Sequence, residues 1–426
     1  MKNDFTQLLI DIQKKSGITV DNVRDIKNLK EEIEAQNNTK IGYNTLRRFF
    51  GFLPRTLPSK TTLTVLSNYL GFSSYSNYIH NKLNFDEWYF QQNLIKIQLN
   101  NKLDAQVLSI IEIGLTNKNN IVAVANYIGH LIKQNNLPAL EYLFSSLAFR
   151  NLPDSECLKF STIVTFNLLT IEKEKALAIY KTLLPIASFR NLVPSYYVDY
   201  TNLGGIYFEV LQLLKETSTQ LADLFFVSLM QYYKRYYFLD NIENEIEIKL
   251  PVDFESYHHV LKGRYLGYLI LKSKGIDADL EKYVLHEFKK NRISLLSQEV
   301  ITSLIIKEEY NLLSLLYEKY YEDIFDSSSW SYKTTNSINL IGLANLNWFN
   351  QKYVSAKNNL ELVELEKVEL GYYQYISLFY HYIKLKISFS SNDKNMNIDC
   401  YKTISQLVGK TGFELFSIKA QYYLIR

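Results

Sequence analysis

"IGYNTLRRFFG", residues 41–51, decides how the first part of this 426-residue chain folds. Leu46, Phe49 and Phe50 stand at i, i+3 and i+4, the buried stripe of a short helix over about 43–50. Gly51 follows as the residue able to close that helix in the left-handed conformation. On the free side, Tyr43 and Arg47 form one stripe and Asn44 and Arg48 the next, each pair at i, i+4. From Ala35 to Phe85 there is no aspartate or glutamate, in a chain that holds 44 of them. The same window carries Lys40, Arg47, Arg48, Arg55, Lys60 and Lys82.

The charge is local. Residues 1–80 hold 11 cations against 7 acids, a balance of +4, while the whole chain sums to +3. A confined excess on a near-neutral protein points to a site. Hydrophobic residues at 47% and charged ones at 21% exclude the disordered class. Only 15 glycines and 7 prolines interrupt the chain, which predicts an all-α fold. The opening "MKNDFTQLLIDIQKK" has Asp4 and Asp11 and no cleavage pattern, so it does not read as a signal peptide. No stretch is apolar for long enough to span a membrane. Cys157 and Cys400, far apart, read as small core residues in a reducing compartment, and the cytoplasm is the expected location.

Working outward from residues 41–51, Phe5, Leu8, Leu9 and Ile12 mark a first helix that ends near Gly17. Ile26, Leu29 and Ile33 mark a second over about 25–36, and Leu63, Leu66 and Leu70 a fourth. That last helix starts at "PSK" with Ser59 as N-cap and stops at Gly71. Residues 1–80 thus form a compact helical head, and 81–104 a linking helix.

Beyond it the texture is long amphipathic helices with short breaks. "LAFRNLP" at 147–153 returns as "IASFRNLVP" at 186–194, with Phe-Arg-Asn forty positions later. Each copy follows a helix of similar type, which predicts a stack of helix pairs, an α-solenoid, over 105–243 and 257–426. "NLGGIYFEVLQLLKE" (202–216) has small residues that let a neighbour pack close. Between the halves, "NEIEIKLPVDFE" (244–255) alternates apolar and polar residues. That is a strand pattern, but a lone one, so an extended connection over 244–256 is expected. Loops are expected around 326–337 and 390–397. The aromatic runs "MQYYKRYYF" (230–238) and "GYYQYISLFYHY" (371–382) fit either packing between repeats or the lining of a concave groove.

No catalytic constellation assembles. "VGKTG" (408–412) lacks the glycine that a phosphate loop needs at 404, where isoleucine stands. His286-Glu287 begins like a zinc-protease helix, but Lys290 occupies the second histidine position. His258 and His259 are adjacent and point apart. The expectation is a non-enzymatic protein with neither cofactor nor metal.

The basic window has parts that suit nucleic acid. Arginine grips guanine, and asparagine adenine, with two hydrogen bonds each in the major groove. Backbone N–H groups at the start of the fourth helix, near Ser59, Lys60 and Thr61, suit a DNA phosphate. Residues 29–72, "LKEEIEAQNNTKIGYNTLRRFFGFLPRTLPSKTTLTVLSNYLGF", resemble the helix-turn-helix core of the phage-repressor-like regulators. The turn aliphatic is Ile41, the recognition helix about 43–50, and the Pro-Ser-capped helix ends in Leu-Gly. The resemblance implies base reading by Tyr43, Asn44, Arg47 and Arg48, and phosphate contacts at Lys40, Arg55, Ser59, Lys60 and Thr61. The chain departs from the family in a longer loop between Gly51 and Ser59 and in Gly42, where the family often has serine. Glu31, Glu32 and Glu34 on the second helix would repel DNA wherever they faced it. The body resembles, more loosely, tetratricopeptide-type repeats, which implies a peptide or protein ligand on the repeats and a homodimer. Double-stranded DNA is thus the expected partner of a transcriptional regulator. The alternative is an interaction scaffold with a degenerate helix-turn-helix module.

Overall fold

The computed structural model describes residues 5–37, 39–54, 56, 58–81, 85–100, 104–152, 154–240, 248–291, 293–327 and 331–424. Among these the regular structure is entirely helical, with no strand. No described helix is long and apolar enough to cross a membrane. The chain divides into two compact units, Met1–Asn93 and Leu94–Arg426.

The first unit comprises α1 (Thr6–Ser16), α2 (Val23–Asn37), α3 (Tyr43–Phe49), α4 (Lys60–Tyr69) and α5 (Tyr75–Asn81), and the division falls within α6 (Phe85–Asn100). That division lies inside the segment 81–104 expected as a linking helix. Helix α5, which the pattern did not resolve, supplies Tyr78 to the core. Gly17, at φ +69°, closes α1 in the left-handed region, with Lys14 and Lys15 in the last turn on the negative end of the dipole. Asn22 Oδ1 accepts from the amides of Arg24 and Asp25, and Asp25 Oδ2 reaches back to those of Asp21 and Asn22, so α2 starts with reciprocal caps. Leu8, Ile12, Ile26, Leu29, Ile33, Ile41, Leu46, Phe49 and Leu66 build one core, with Phe50, Leu63 and Leu70 half-buried at its margin.

The second unit runs α7 (Ala105–Thr116), α8 (Ile121–Lys133), α9 (Leu137–Phe144), α10 (Asp154–Leu169), α11 (Lys173–Leu183), α12 (Ala187–Leu192), α13 (Ile206–Thr217) and α14 (Leu221–Phe238). It continues with α15 (His259–Lys272), α16 (Ala278–Lys290), α17 (Ile293–Lys307), α18 (Tyr310–Ile324), α19 (Tyr332–Phe349), α20 (Tyr353–Glu361), α21 (Leu370–Ser390), α22 (Lys394–Thr411) and α23 (Glu414–Gln421). Helices pack on the next but one: α8 on α10, α9 on α11, α11 on α13, and then α15 on α17, α17 on α19 and α19 on α21. The two Phe-Arg-Asn copies differ in form, a 3-10 turn at Leu147–Asn151 and helix α12, yet they meet. Phe149 and Phe189 flank Phe144 at ring distances of 5.2 and 5.0 Å. Arg190 is buried, its Nε 2.9 Å from Asp223 Oδ2. Gly204 is where close approach is needed, since a Cβ there would lie 2.2 Å from the ring of Phe238.

The alternating segment forms no strand among the described residues, and two loop expectations are corrected. Of the alternating segment, residues 244–247 lie outside the described residues; in the rest Ile248 and Phe254 are buried while Leu250 and Val252 are exposed. A period of two buries a face only against a neighbouring strand, and a 3-10 turn at Phe254–Ser256 follows instead. The loop at 326–337 ends early because α19 begins at Tyr332. That at 390–397 shrinks because the Asp393 carboxylate caps Met396 N and starts α22.

The two aromatic runs pack on each other. Tyr237 of α14 and Tyr375 of α21 share a hydroxyl hydrogen bond of 2.9 Å, and the Tyr237 ring stacks on Phe413 at 4.8 Å. Beside them Arg264, fully buried, donates to the carbonyls of Ser195 and Tyr196. Its Nε lies 3.5 Å from Glu299 Oε1, an ion pair without a hydrogen bond, while Tyr200 donates to Glu299 Oε2 at 2.6 Å. Burial pushes the Glu299 carboxyl up against the lowering effect of Arg264.

Removing one partner of such a pair leaves a buried charge alone. R264M is expected to cost about 3–5 kcal/mol in urea unfolding of the full chain, and E299L in the same chain to recover part of it. Glu369, at the start of α21, is pushed by burial to about 8. A raised carboxyl contributes stability that is complete below its unfolded value and lost as pH climbs through the folded one. E369Q is therefore expected to match wild-type Tm near pH 4 and to exceed it increasingly up to about pH 8.

Candidate nucleic-acid interface

Helix α3 exists because Leu46 and Phe49 anchor it in the core, and it closes where Phe50 N donates to Leu46 O and Phe52 N to Arg47 O. Gly51 takes φ +84° at that point, a conformation L side chains rarely adopt. Seven residues make a short helix. Its position is set by tertiary packing on α2, since an isolated helix of this length is unstable.

Asn44 and Arg48 are exposed on α3, and Tyr43 and Arg47 are half-buried. The Arg47 guanidinium lies 5.6 Å from the Tyr43 ring centroid and Nη1 donates to Asn44 Oδ1 at 3.4 Å, so three of the four expected base-reading residues touch one another. Tyr43 also donates its hydroxyl to Val23 O at 3.2 Å, tying α3 to the start of α2. Arg48 stands apart as the free cation of the helix. Lys40 is exposed in the turn, and neither it, Arg48 nor Lys60 makes an ion pair among the described residues. Arg55 lies outside the described residues.

At α4, Ser59 Oγ accepts Thr62 N at 3.1 Å and pairs with the Thr62 hydroxyl at 2.9 Å. Its hydroxyl is thereby engaged in capping. The amides of Lys60 and Thr61 have no partner among the described residues, and these two N–H groups form the anion-facing end of the helix.

Glu31, Glu32 and Glu34 of α2 were the obstacle to any contact with phosphate, and two of these three have internal partners. Glu32 accepts the buried Tyr69 hydroxyl at 2.6 Å. Glu34 takes Lys30 Nζ at 2.7 Å and the Ile41 amide at 2.9 Å across the turn. The Lys30 hydrogen bond first, and then the Ile41 amide, hold Glu34 below the usual carboxylate range, with Lys40 adding charge at longer reach. Glu31 alone of the three is exposed. Sequence reasoning missed both contacts. Tyr69 lies 37 residues from Glu32, and the Glu34 contact depends on a turn geometry that no local pattern encodes.

Loss of the α4 cap has a defined cost. S59A is expected to destabilise the start of α4 by about 1 kcal/mol, seen as faster hydrogen exchange at Thr62 and Leu63 with the rest of the unit little changed. Compared with known protein families, with curated proteins and with solved structures, the chain matches nothing in any of the three.

Proposed function

We propose that the chain is a DNA-binding transcriptional regulator of the cytoplasm. In this reading α2, the turn at Ile41 and α3 act as a helix-turn-helix, with α3 as recognition helix. The observation that carries it is the bare cationic surface. Lys40, Asn44, Arg48 and Lys60 stand exposed in a window without acids, and the neighbouring Glu32 and Glu34 are occupied internally. Packing alone does not call for an absence of carboxylates over so long a stretch, whereas a phosphate backbone does.

Arg48 and Asn44 would read bases, with Arg47 steadied between Tyr43 and Asn44 for the same groove. The free amides of Lys60 and Thr61 would meet a phosphate. The second unit serves as a helical-repeat body, a reading supported by next-but-one helix packing and by the paired Phe-Arg-Asn copies. It would receive a peptide or protein signal and hold a second copy, because a two-fold operator requires a dimer. None of these roles needs a catalytic group.

Fluorescence anisotropy of the full chain on mixed genomic duplexes tests this. Wild type is expected to bind with affinity that falls steeply as salt rises. R47A/R48A is expected to weaken binding at least about tenfold and to flatten the salt slope. Unchanged affinity in the double variant would turn the first unit into a packing module and favour the scaffold reading.

A further inference from the structure

A cleft of about 720 Å³ opens in the second unit between α8, α10 and the segment leading into α21. Helix α8 contributes Asn126 and Lys133, and α10 contributes Thr162, Phe166 and Asn167. The approach of α10 depends on Gly129, where a Cβ would lie 2.4 Å from the Asn167 amide. Phe166 and Tyr373 are large rings left 49% and 42% exposed at its sides. Both are too apolar to be exposed without cost, and both face the same space.

Thr162, Tyr197 and Glu369 line this cleft and also a small inner cavity of about 20 Å³, which they share with Glu299 and Thr334. The three residues therefore form the wall between cleft and interior. Glu369 is held there by its amide, which donates to Thr334 Oγ1 at 3.2 Å. Its Oε2 is shielded from solvent and has no hydrogen-bond partner. Burial raises this carboxyl to about 8, and no cation among the described residues offsets that. Among the residues lining the cleft, Lys133 is the single cation, set against Glu366 and Glu369.

A half-buried carboxyl without a cationic partner, set beside aromatic faces, is an arrangement that holds an organic cation. The charge is met by the carboxylate, and the methylenes and cation lie against the rings. The volume suits a ligand of a few hundred daltons. We propose that this cleft binds a ligand bearing a primary ammonium group, with Glu369 as its anion and Phe166, Tyr197 and Tyr373 around its carbon chain. Asn126 and Asn167 supply amide groups along the α8–α10 side for neighbouring polar atoms. The same ammonium chemistry is offered by a lysine side chain, by the amino terminus of a short peptide and by a polyamine. The inference concerns the second unit alone and stands whether or not the first unit binds DNA.

Isothermal titration calorimetry of the full chain at pH 7 tests it with three probes: N-acetyl-Gly-Lys-Gly-amide, tri-alanine with a free amino terminus, and spermidine. At least one is expected to bind saturably, and which one binds names the source of the ammonium. Binding makes Glu369 ionise, so a proton is released and the observed heat differs between phosphate and Tris buffers. E369Q, which keeps the size of the side chain, is expected to lower affinity at least about tenfold and to abolish the buffer difference. K133Q, which removes the opposing cation, is expected to bind as well as wild type or better. Absence of binding by all three probes to about 1 mM overturns the proposal. So does equal binding by wild type and an E369Q chain that retains its helical circular dichroism.

Discussion

A charge taken out of water must meet a partner or cost the fold several kcal/mol. That constraint bears lightly on the first unit, where the half-buried Glu32 and Glu34 meet Tyr69 and the Ile41 amide, the latter contact closing the turn ahead of α3. In the second it gathers Arg264, Glu299 and Tyr200 at the centre of the helix stack. The same constraint has a different outcome at Glu369, whose Oε2 is shielded from solvent without a hydrogen-bond partner and whose carboxyl is raised by burial to about 8.

For the first unit, the consequence is an uneven surface. Glu32 and Glu34 of α2 are engaged by Tyr69 and the turn, while Lys40, Arg48 and Lys60 make no ion pair among the described residues. The proposed DNA contact follows from that division, since a phosphate backbone meets cations and amide N–H groups without an opposing acid. Arg47 and Arg48 then have different parts. The first is half-buried and braced against Tyr43 and Asn44, whereas the second projects. A braced arginine loses less freedom on contact than a projecting one.

Much of the helical pattern was legible. Leu46 and Phe49, Ile26, Leu29 and Ile33, and the stops at Gly17, Gly51 and Gly71 all come from spacing and turn chemistry that act within a few residues. The Ser59 cap belongs to the same local class. What escaped was long-range. Helix α5 carries too few apolar positions to announce itself. The aromatic runs left groove and packing open until Tyr237 was seen against Tyr375. At the candidate interface the cations were visible in the sequence, but the fate of Glu32 and Glu34 was not, and that fate decides whether the surface is bare.

Hydrogen–deuterium exchange of the full chain, with and without a mixed genomic duplex at low salt, addresses the central claim most directly. The account predicts added protection at the amides of residues 40–51 and at Lys60 and Thr61, with little change along the middle of α2. Protection confined to the second unit, or no change anywhere while the duplex is present in excess, would contradict it.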